Sequence, residues 1–324
     1  MVKNRGEKMG KYIIKNLREN NIISQIMDIQ YKYSEENDDF IVRGKEILEN
    51  HPSFEKGRNI IGLFNRKGKI LGYTAIFPRT EGKKTSGEIS HKIWFDIIID
   101  PEIKSRKNKM DLLLTEVEER AQNIKKKLAA DDSELAVVKY SSEKSYIEFY
   151  RERNFTYNSS LLNMKRKINR KNEIKGAEDV NIENIRLNKS KLKNREKQIK
   201  YVNARNKAYP RENFTIDNLR WFLPTLKYGT AIYAVNEGGD IIGSIMIYLC
   251  TQNSAVIEDL FIIPGYRRRG FAEKLIERAL VFSVEKNIRE VELEVLKDNI
   301  QAVNLYSKMG FKTVKEELEF SREI

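Results

Sequence analysis

From about residue 229 onward the spacing of apolar positions changes in a regular order. Two β-rich runs, 230–236 and 241–250, flank the turn sequence Glu237, Gly238, Gly239 and Asp240, which predicts a hairpin. A third run, 255–263, is stopped by Pro264 and Gly265. Over about 269–286 the period becomes helical, with Ala272, Leu275, Ile276, Ala279 and Phe282 on one face. At 290–295 Val291, Leu293 and Val295 alternate with glutamates, the period of a strand. A short helix, 300–309, ends at Gly310, and 311–320 supplies one or two closing strands. With helices near 191–206 and 215–226 upstream, the order predicts a mixed, mostly antiparallel α/β sheet flanked by helices.

The first half repeats this plan. Strands at 60–65 and 70–77 around the turn Arg66 to Lys69 mirror the later hairpin, with Gly72 matching Gly243. The strand 92–100 ending at Pro101, the helix 110–126, and Tyr150 with Phe155 mirror their later counterparts. Duplication is the simplest account. The expected domains are 1–168 and 181–324, joined by a charged linker over 169–180.

Composition bounds the function classes. A chain of 324 residues with 40% hydrophobic and 10% aromatic residues suits two folded domains. No stretch approaches the roughly 18 apolar residues of a membrane span, and residues 1–20 lack the apolar core of a signal peptide. Cys250 is the only cysteine, which suits a reducing compartment, so the chain reads as cytoplasmic. One cysteine and two histidines, His51 and His91, argue against a protein-bound zinc site, and no metal is expected. The formal charge of +13 raises the question of nucleic acid. The excess is spread over both halves, however, and most basic residues sit near acidic ones. A small polyanionic ligand or compositional bias fits better than nucleic acid.

The chemistry concentrates in two segments. In the first, Glu258 to Ala272, a strand and tight turn deliver the chain to a helix N-terminus. There the backbone N–H groups lack intrahelical partners and lie at the positive end of the helix dipole. Such an end binds a pyrophosphate. Gly270 and Ala272 keep bulk away, and Arg267, Arg268 and Arg269 add positive charge. The second segment runs from Asn299 through Ala302, Leu305 and Tyr306 to Gly310 and Phe311.

Together these segments resemble the GNAT acetyltransferase superfamily. Its Arg/Gln-x-x-Gly-x-Gly/Ala motif is matched by Arg267, Gly270 and Ala272, and its Asn-x-x-Ala-x-x-Leu-Tyr-x-x-x-Gly-Phe motif by Asn299, Ala302, Leu305, Tyr306, Gly310 and Phe311. The resemblance covers about 180–324 and implies two tandem GNAT-fold domains, the second an acetyl-CoA-dependent N-acetyltransferase. It implies that the turn from Arg267 to Ala272, Phe271 included, holds the CoA pyrophosphate. The strand Leu260, Phe261 and Ile262 would pair with pantetheine and polarise the acetyl carbonyl, and Asn299 would contact the pantetheine arm. Tyr306 would donate a proton to the departing thiolate, against the plainer reading of a core tyrosine.

The acceptor is expected to be a primary amine of a small molecule or peptide. Glu258 is the candidate for assisting its deprotonation; a cation anchor and a salt bridge to the nearby arginines are the other readings. Asp259 is expected to face the opposite way. Tyr209, Phe214, Trp221 and Phe222 fall where the family builds its acceptor pocket, or serve as core. The first half departs from the pattern: Lys107 and Lys109 stand opposite Gly270 and Ala272, Glu143 opposite Asn299, and Tyr146 opposite Ala302. It reads as a degenerate copy. The rival functions are an acyl-CoA sensor or scaffold without turnover, and transfer of a larger acyl group to a cell-wall or thiol-precursor amine. Oligomeric state is not readable.

Overall fold

The computed structural model describes residues 12–17, 22–37, 40, 42–82, 89–128, 133–169, 186–190 and 192–324. Contacts divide the chain into two units, Met1–Ser159 with Glu317–Ile324, and Ser160–Glu316.

The first unit contains β1 (Tyr12–Asn16), α1 (Ile23–Glu36), α2 (Lys45–Asn50), β2 (Ile60–Asn65), β3 (Ile70–Gly82), β4 (Ile89–Ile99), α3 (Arg106–Leu128), β5 (Ser133–Tyr140) and α4 (Lys144–Arg151). The start of β6 (Thr156–Lys167) also belongs to it. Its strands pair antiparallel from β1 through β4, then β4 pairs parallel with β5. The second unit contains β7 (Arg186–Ser190), α5 (Arg195–Ala208), α6 (Ile216–Phe222), β8 (Gly229–Val235), β9 (Ile241–Leu249), β10 (Ser254–Ile262), α7 (Phe271–Glu285), β11 (Glu290–Leu296) and α8 (Ile300–Lys308). It repeats the scheme: antiparallel from β7 through β10, then a parallel β10–β11 pair. Each unit therefore has a mixed, mostly antiparallel arrangement of strands flanked by helices, as the periodicity predicts.

Each sheet is finished by a strand from the other half of the sequence. In the second unit, residues 161–167 of β6 pair antiparallel with β11, from Leu161↔Leu296 to Lys167↔Glu290. In the first, residues 317–323 of β12 (Lys312–Glu323) pair with β5, from Glu317↔Tyr140 to Glu323↔Glu134. The sequence reading ends the first domain at 168 and begins the second at 181; the contacts instead assign 160–168 to the second unit and 317–324 to the first. The physical reason is burial on alternate positions. Leu162 and Met164 enter the second unit's core, with Met164 at 1% exposure, and Phe320 is fully buried in the first. Apart from Asn169, the predicted linker lies outside the described residues.

Local sequence explains the elements that frame the site. In α7, Phe271, Leu275, Ile276, Ala279, Leu280 and Phe282 are buried, an i, i+4 stripe against the sheet. In β11, Val291, Leu293 and Val295 are buried while the glutamates between them are not. The matched glycines of the two hairpins share one cause. A Cβ on Gly243 would lie 2.4 Å from Ile262 Cδ1, and one on Gly72 would lie 2.6 Å from Ile99 Cδ1. The sequence pattern missed β1, β5, β6, β7, α1 and α2; the segment Arg186–Ser190 is a polar edge strand with no apolar alternation. No helix among the described residues is long and apolar enough to cross a membrane.

The strand 161–167 buries two large side chains, each worth about 1.5–3 kcal/mol. A fragment of residues 160–316 is expected to unfold cooperatively, and one of 181–316 to lose several kcal/mol or fail to fold. Circular dichroism melts compare the two; equal melting would make the strand dispensable.

Candidate active site

The site begins where a strand pair ends. Parallel pairing of β10 with β11 stops at Ile257↔Leu293, and the two strands then part. On its other side β10 carries a bulge: Glu258 pairs with Met246 and Phe261 with Ser244, so two residues of β10 stand opposite one of β9. Asp259 at the bulge has φ of 47°, a left-handed conformation that costs a non-glycine residue about 1–2 kcal/mol. Its carboxylate accepts hydrogen bonds from the Tyr201 hydroxyl (2.6 Å) and Arg205 Nε (2.8 Å), both on α5. Asp259 thus faces α5, the side on which Met246, the β9 partner of Glu258, also packs; the two carboxylates do not face opposite ways, and both line the cleft described next. Two further side chains fix the carbonyls beyond the bulge. The Tyr209 hydroxyl donates to Leu260 O (3.0 Å), and Arg267 Nε donates to Ile262 O (2.9 Å).

The cleft so opened has a volume of about 910 Å³ and lies wholly within the second unit. Of the residues assigned from sequence, Glu258, Leu260, Phe261, Ile262, Arg267, Arg268, Gly270, Phe271, Ala272, Asn299 and Tyr306 all line it. Phe261 does so through its backbone edge, since its side chain is 2% exposed and packs edge-on against Tyr201.

At one end of the cleft is the start of α7. Its first turn has no side-chain cap, and its first backbone bond runs from Lys274 N–H to Gly270 O (3.1 Å). The amides of Phe271, Ala272 and Glu273 precede that bond and are the unpaired donors of a helix start. Gly270 has φ of 80°, and a Cβ there would meet nothing within 4 Å, so backbone conformation and open space together suit glycine. The three arginines separate in role. Arg267 braces the turn, its Nη2 donating to Ala208 O (2.8 Å) in addition to the bond to Ile262. Arg269 stacks on Tyr266, 5.3 Å from the ring centroid, and is not among the lining residues. Arg268 lines the cleft, with φ of 62°. Asn299 also has a structural duty: its Oδ1 accepts from Ala302 N (3.2 Å) as the N-cap of α8.

Tyr306 on α8 is 8% exposed, and its hydroxyl makes no hydrogen bond among the described residues. Burial, with a smaller contribution from Tyr209, raises its pKa above the usual phenol value. Across the cleft Glu258 has no cationic partner among the described residues, which removes the salt-bridge reading. Its one hydrogen bond is a long one from the Tyr248 hydroxyl (3.5 Å). Burial and then the neighbouring Glu294 push the Glu258 carboxyl up, and burial with Glu258 pushes Tyr248 up to about 12. Sequence reasoning missed Tyr248 and Glu294; alternation of Glu with Val and Leu in β11 was the available signal for Glu294. Of the four aromatic candidates, Tyr209 lines the cleft and Phe214 is core beneath the Arg205 guanidinium. The side chains of Trp221 and Phe222 lie outside the described residues.

The first unit uses the same geometry differently. Its parallel β4–β5 pair also ends early, at Trp94↔Ala136. Here the gap is filled from within. Lys139, 3% exposed, donates to Asp96 (2.8 Å) and pairs with Glu143 (3.5 Å), while Arg43 pairs with Asp96 from its far side (3.4 Å). The Tyr33 hydroxyl donates to Glu143, and the hydroxyl of Tyr146 accepts from Ile99 N. Burial alone would raise the Asp96 carboxyl, but Lys139 and Arg43 outweigh it and hold it below the usual range. The basic turn is likewise self-occupied: Lys109 Nζ donates to the carbonyls of Lys104 and Ser105 (both 3.1 Å), and Lys107 pairs with Glu152.

Both units share one strand order, and the second adds the bulge and the uncapped helix start. Residues 196–311 match the family model for the Acetyltransferase (GNAT) family, so the chain carries a GNAT acetyltransferase domain within its second unit. Among relatives, streptothricin acetyltransferase of Streptomyces lavendulae is 33% identical over 79 residues, 24% of this chain and 42% of that one. Thialysine N-epsilon-acetyltransferase of Mus musculus is 28% identical over 85 residues, 25% and 50% of the two chains. The match thus spans about half the length of these relatives. Over the whole length the fold is similar to a GCN5-related N-acetyltransferase from Sphaerobacter thermophilus, with a TM-score of 0.68, 16% identity, and coverage of 96% and 95%. It is also similar to a tandem GNAT protein from the clavulanic acid biosynthesis pathway, with a TM-score of 0.67, 13% identity, and coverage of 96% and 98%.

A carboxyl whose folded pKa lies above its unfolded value contributes its stability in the protonated state, below the unfolded pKa. It loses that contribution as pH rises through the folded pKa. Ionised Glu258 therefore opposes folding at neutral pH. Glu258→Gln is expected to raise Tm by about 2 °C at pH 7 and to lose that advantage below about pH 4. Calorimetric scans across pH check it; a lower Tm at pH 7 would mean that the carboxylate has a stabilising partner.

Proposed function

We propose that residues 160–316 transfer an acetyl group from acetyl-CoA to a primary amine. The observation that carries this reading is one cleft with an uncapped helix start at one end and, in its wall, a buried tyrosine whose hydroxyl is unpaired among the described residues. The amides of Phe271, Ala272 and Glu273, with the charge of Arg268, form the seat for the pyrophosphate. Leu260 to Ile262, unpaired toward β11, offer backbone to pantetheine, and the bulge fixes the amides that polarise the acetyl carbonyl. A relative named as an N-epsilon-acetyltransferase supports an amine acceptor.

In the reaction the ammonium gives up one proton before attack, the amine nitrogen bonds to the acetyl carbon, the carbon–sulfur bond breaks, and the second proton that nitrogen loses goes to the departing thiolate. At pH 7 that deprotonation costs about 4–5 kcal/mol for a lysine-like amine. Glu258, with its raised pKa and no cation beside it, accepts the proton directly or through water. Tyr306 donates a hydrogen bond to the departing sulfur. Free phenol and thiol pKa values of about 10 and 8.5 already make full proton transfer uphill by roughly 2 kcal/mol, and burial of Tyr306 increases the gap. Its contribution is therefore stabilisation of developing thiolate charge, with protonation completed late. The first unit offers no equivalent slot, because Lys139, Asp96 and Glu143 occupy the gap between its parallel strands.

Tyr306→Phe is expected to lower kcat about 10²-fold while leaving acetyl-CoA affinity within about twofold. CoA-thiol release and titration calorimetry measure the two, and an unchanged kcat would make Tyr306 a packing residue. Calorimetry on the whole chain is also expected to give one acetyl-CoA site; two equivalent sites would contradict the filled slot of the first unit.

A further inference from the structure

The sheet face that carries Glu258 arranges charge in rows. Directly paired residues on neighbouring strands share a face, and the pattern recurs every second residue. One row holds Val256 on β10, Glu292 on β11 and Lys165 on β6. Lys165 neutralises that row and the row before it, lying 2.9 Å from Glu292 and 3.2 Å from Glu290. The next row, one step past the last β10–β11 pair, holds Glu258, Glu294 and Asn163. Here the position that carries lysine in the preceding row carries a neutral amide, and Asn163 Nδ2 donates one bond to Glu294 (3.2 Å).

Two carboxylates are therefore left without a cation among the described residues, in a chain of formal charge +13. Like charges in one row of a sheet repel. Both carboxylates line the cleft, and so does Tyr306, a residue more than nine-tenths buried whose hydroxyl is unpaired among the described residues. The unpaired donor and the uncompensated pair flank the same space.

We infer that Glu258 and Glu294 select an acceptor with two cationic groups a few bonds apart, such as a diamine or a basic amino compound. This inference rests on the acetyl-transfer reading of the cleft. The amine that reacts gives up its proton near Glu258, beside the splay that exposes the carbonyl-polarising backbone. The second ammonium stays charged and is held by Glu294. A monoamine satisfies one carboxylate and leaves the other facing its neighbour. Because Glu294 is exposed, its attraction is partly screened, and added salt weakens the selection.

The test compares 1,4-diaminobutane with butylamine as acceptors for the full chain. Wild type is expected to prefer the diamine by at least about tenfold in kcat/KM. Glu294→Gln, and separately Asn163→Lys, which restores the missing cation, are each expected to reduce that preference about tenfold. Titration of the two amines into CoA-loaded protein gives the same comparison without turnover. Absence of CoA release with every amine would count against the acetyl-transfer reading. Preferential diamine binding lost in both variants would still uphold the acidic selector in that case. No preference in wild type, or a preference unchanged within twofold in both variants, overturns the inference.

Discussion

The interaction on which the second unit depends is the grip of Tyr201 and Arg205 on the Asp259 carboxylate. Without it the left-handed turn at Asp259 would relax, because a non-glycine residue there costs about 1–2 kcal/mol. Charge-assisted bonds from a guanidinium and a short bond from a buried phenol offset that cost. The bulge they hold carries β10 away from β11, and the cleft is the space between. One distorted residue thus sets the exposed backbone of 258–262, the approach of α7 and the placement of Glu258.

The two units show the same splay put to different uses. In the second, the gap stays open: among the described residues the helix start has no side-chain cap, the tyrosine hydroxyl has no hydrogen bond, and the two carboxylates have neutral partners but no cation. In the first, Lys139, Asp96, Glu143 and Arg43 satisfy one another inside the gap. Buried ion pairs of this sort add little net stability against an apolar filling, yet removing one member leaves a charge stranded at a cost of about 3–5 kcal/mol. Such a network holds the gap shut.

Exchange of closing strands binds the fates of the two halves of the sequence. Residues 161–167 complete one sheet and residues 317–323 the other, so neither half of the gene product is a complete sheet alone. This gives the first half a reason to persist that needs no catalytic activity. Its last strand is a wall of the second unit's cleft, through Asn163.

Much of this was legible in the residues themselves. Alternation in Glu290 to Val295, the helical stripe from Leu275 to Phe282, and the turn with Gly270 announced their elements, because burial on a regular element imposes its period on the local sequence. The same locality made the glycine turn before α7 and the tyrosine of α8 visible as short motifs. What the chain alone did not reveal are relations between residues far apart in sequence. Arg267 lines the cleft and also braces its turn through the carbonyls of Ile262 and Ala208, and Asn299 is a helix cap as well as a wall of the cleft. The row of Glu258, Glu294 and Asn163 unites three strands drawn from both halves. Register between distant strands is decided by which packing of the whole buries the most apolar surface, and no local period records it.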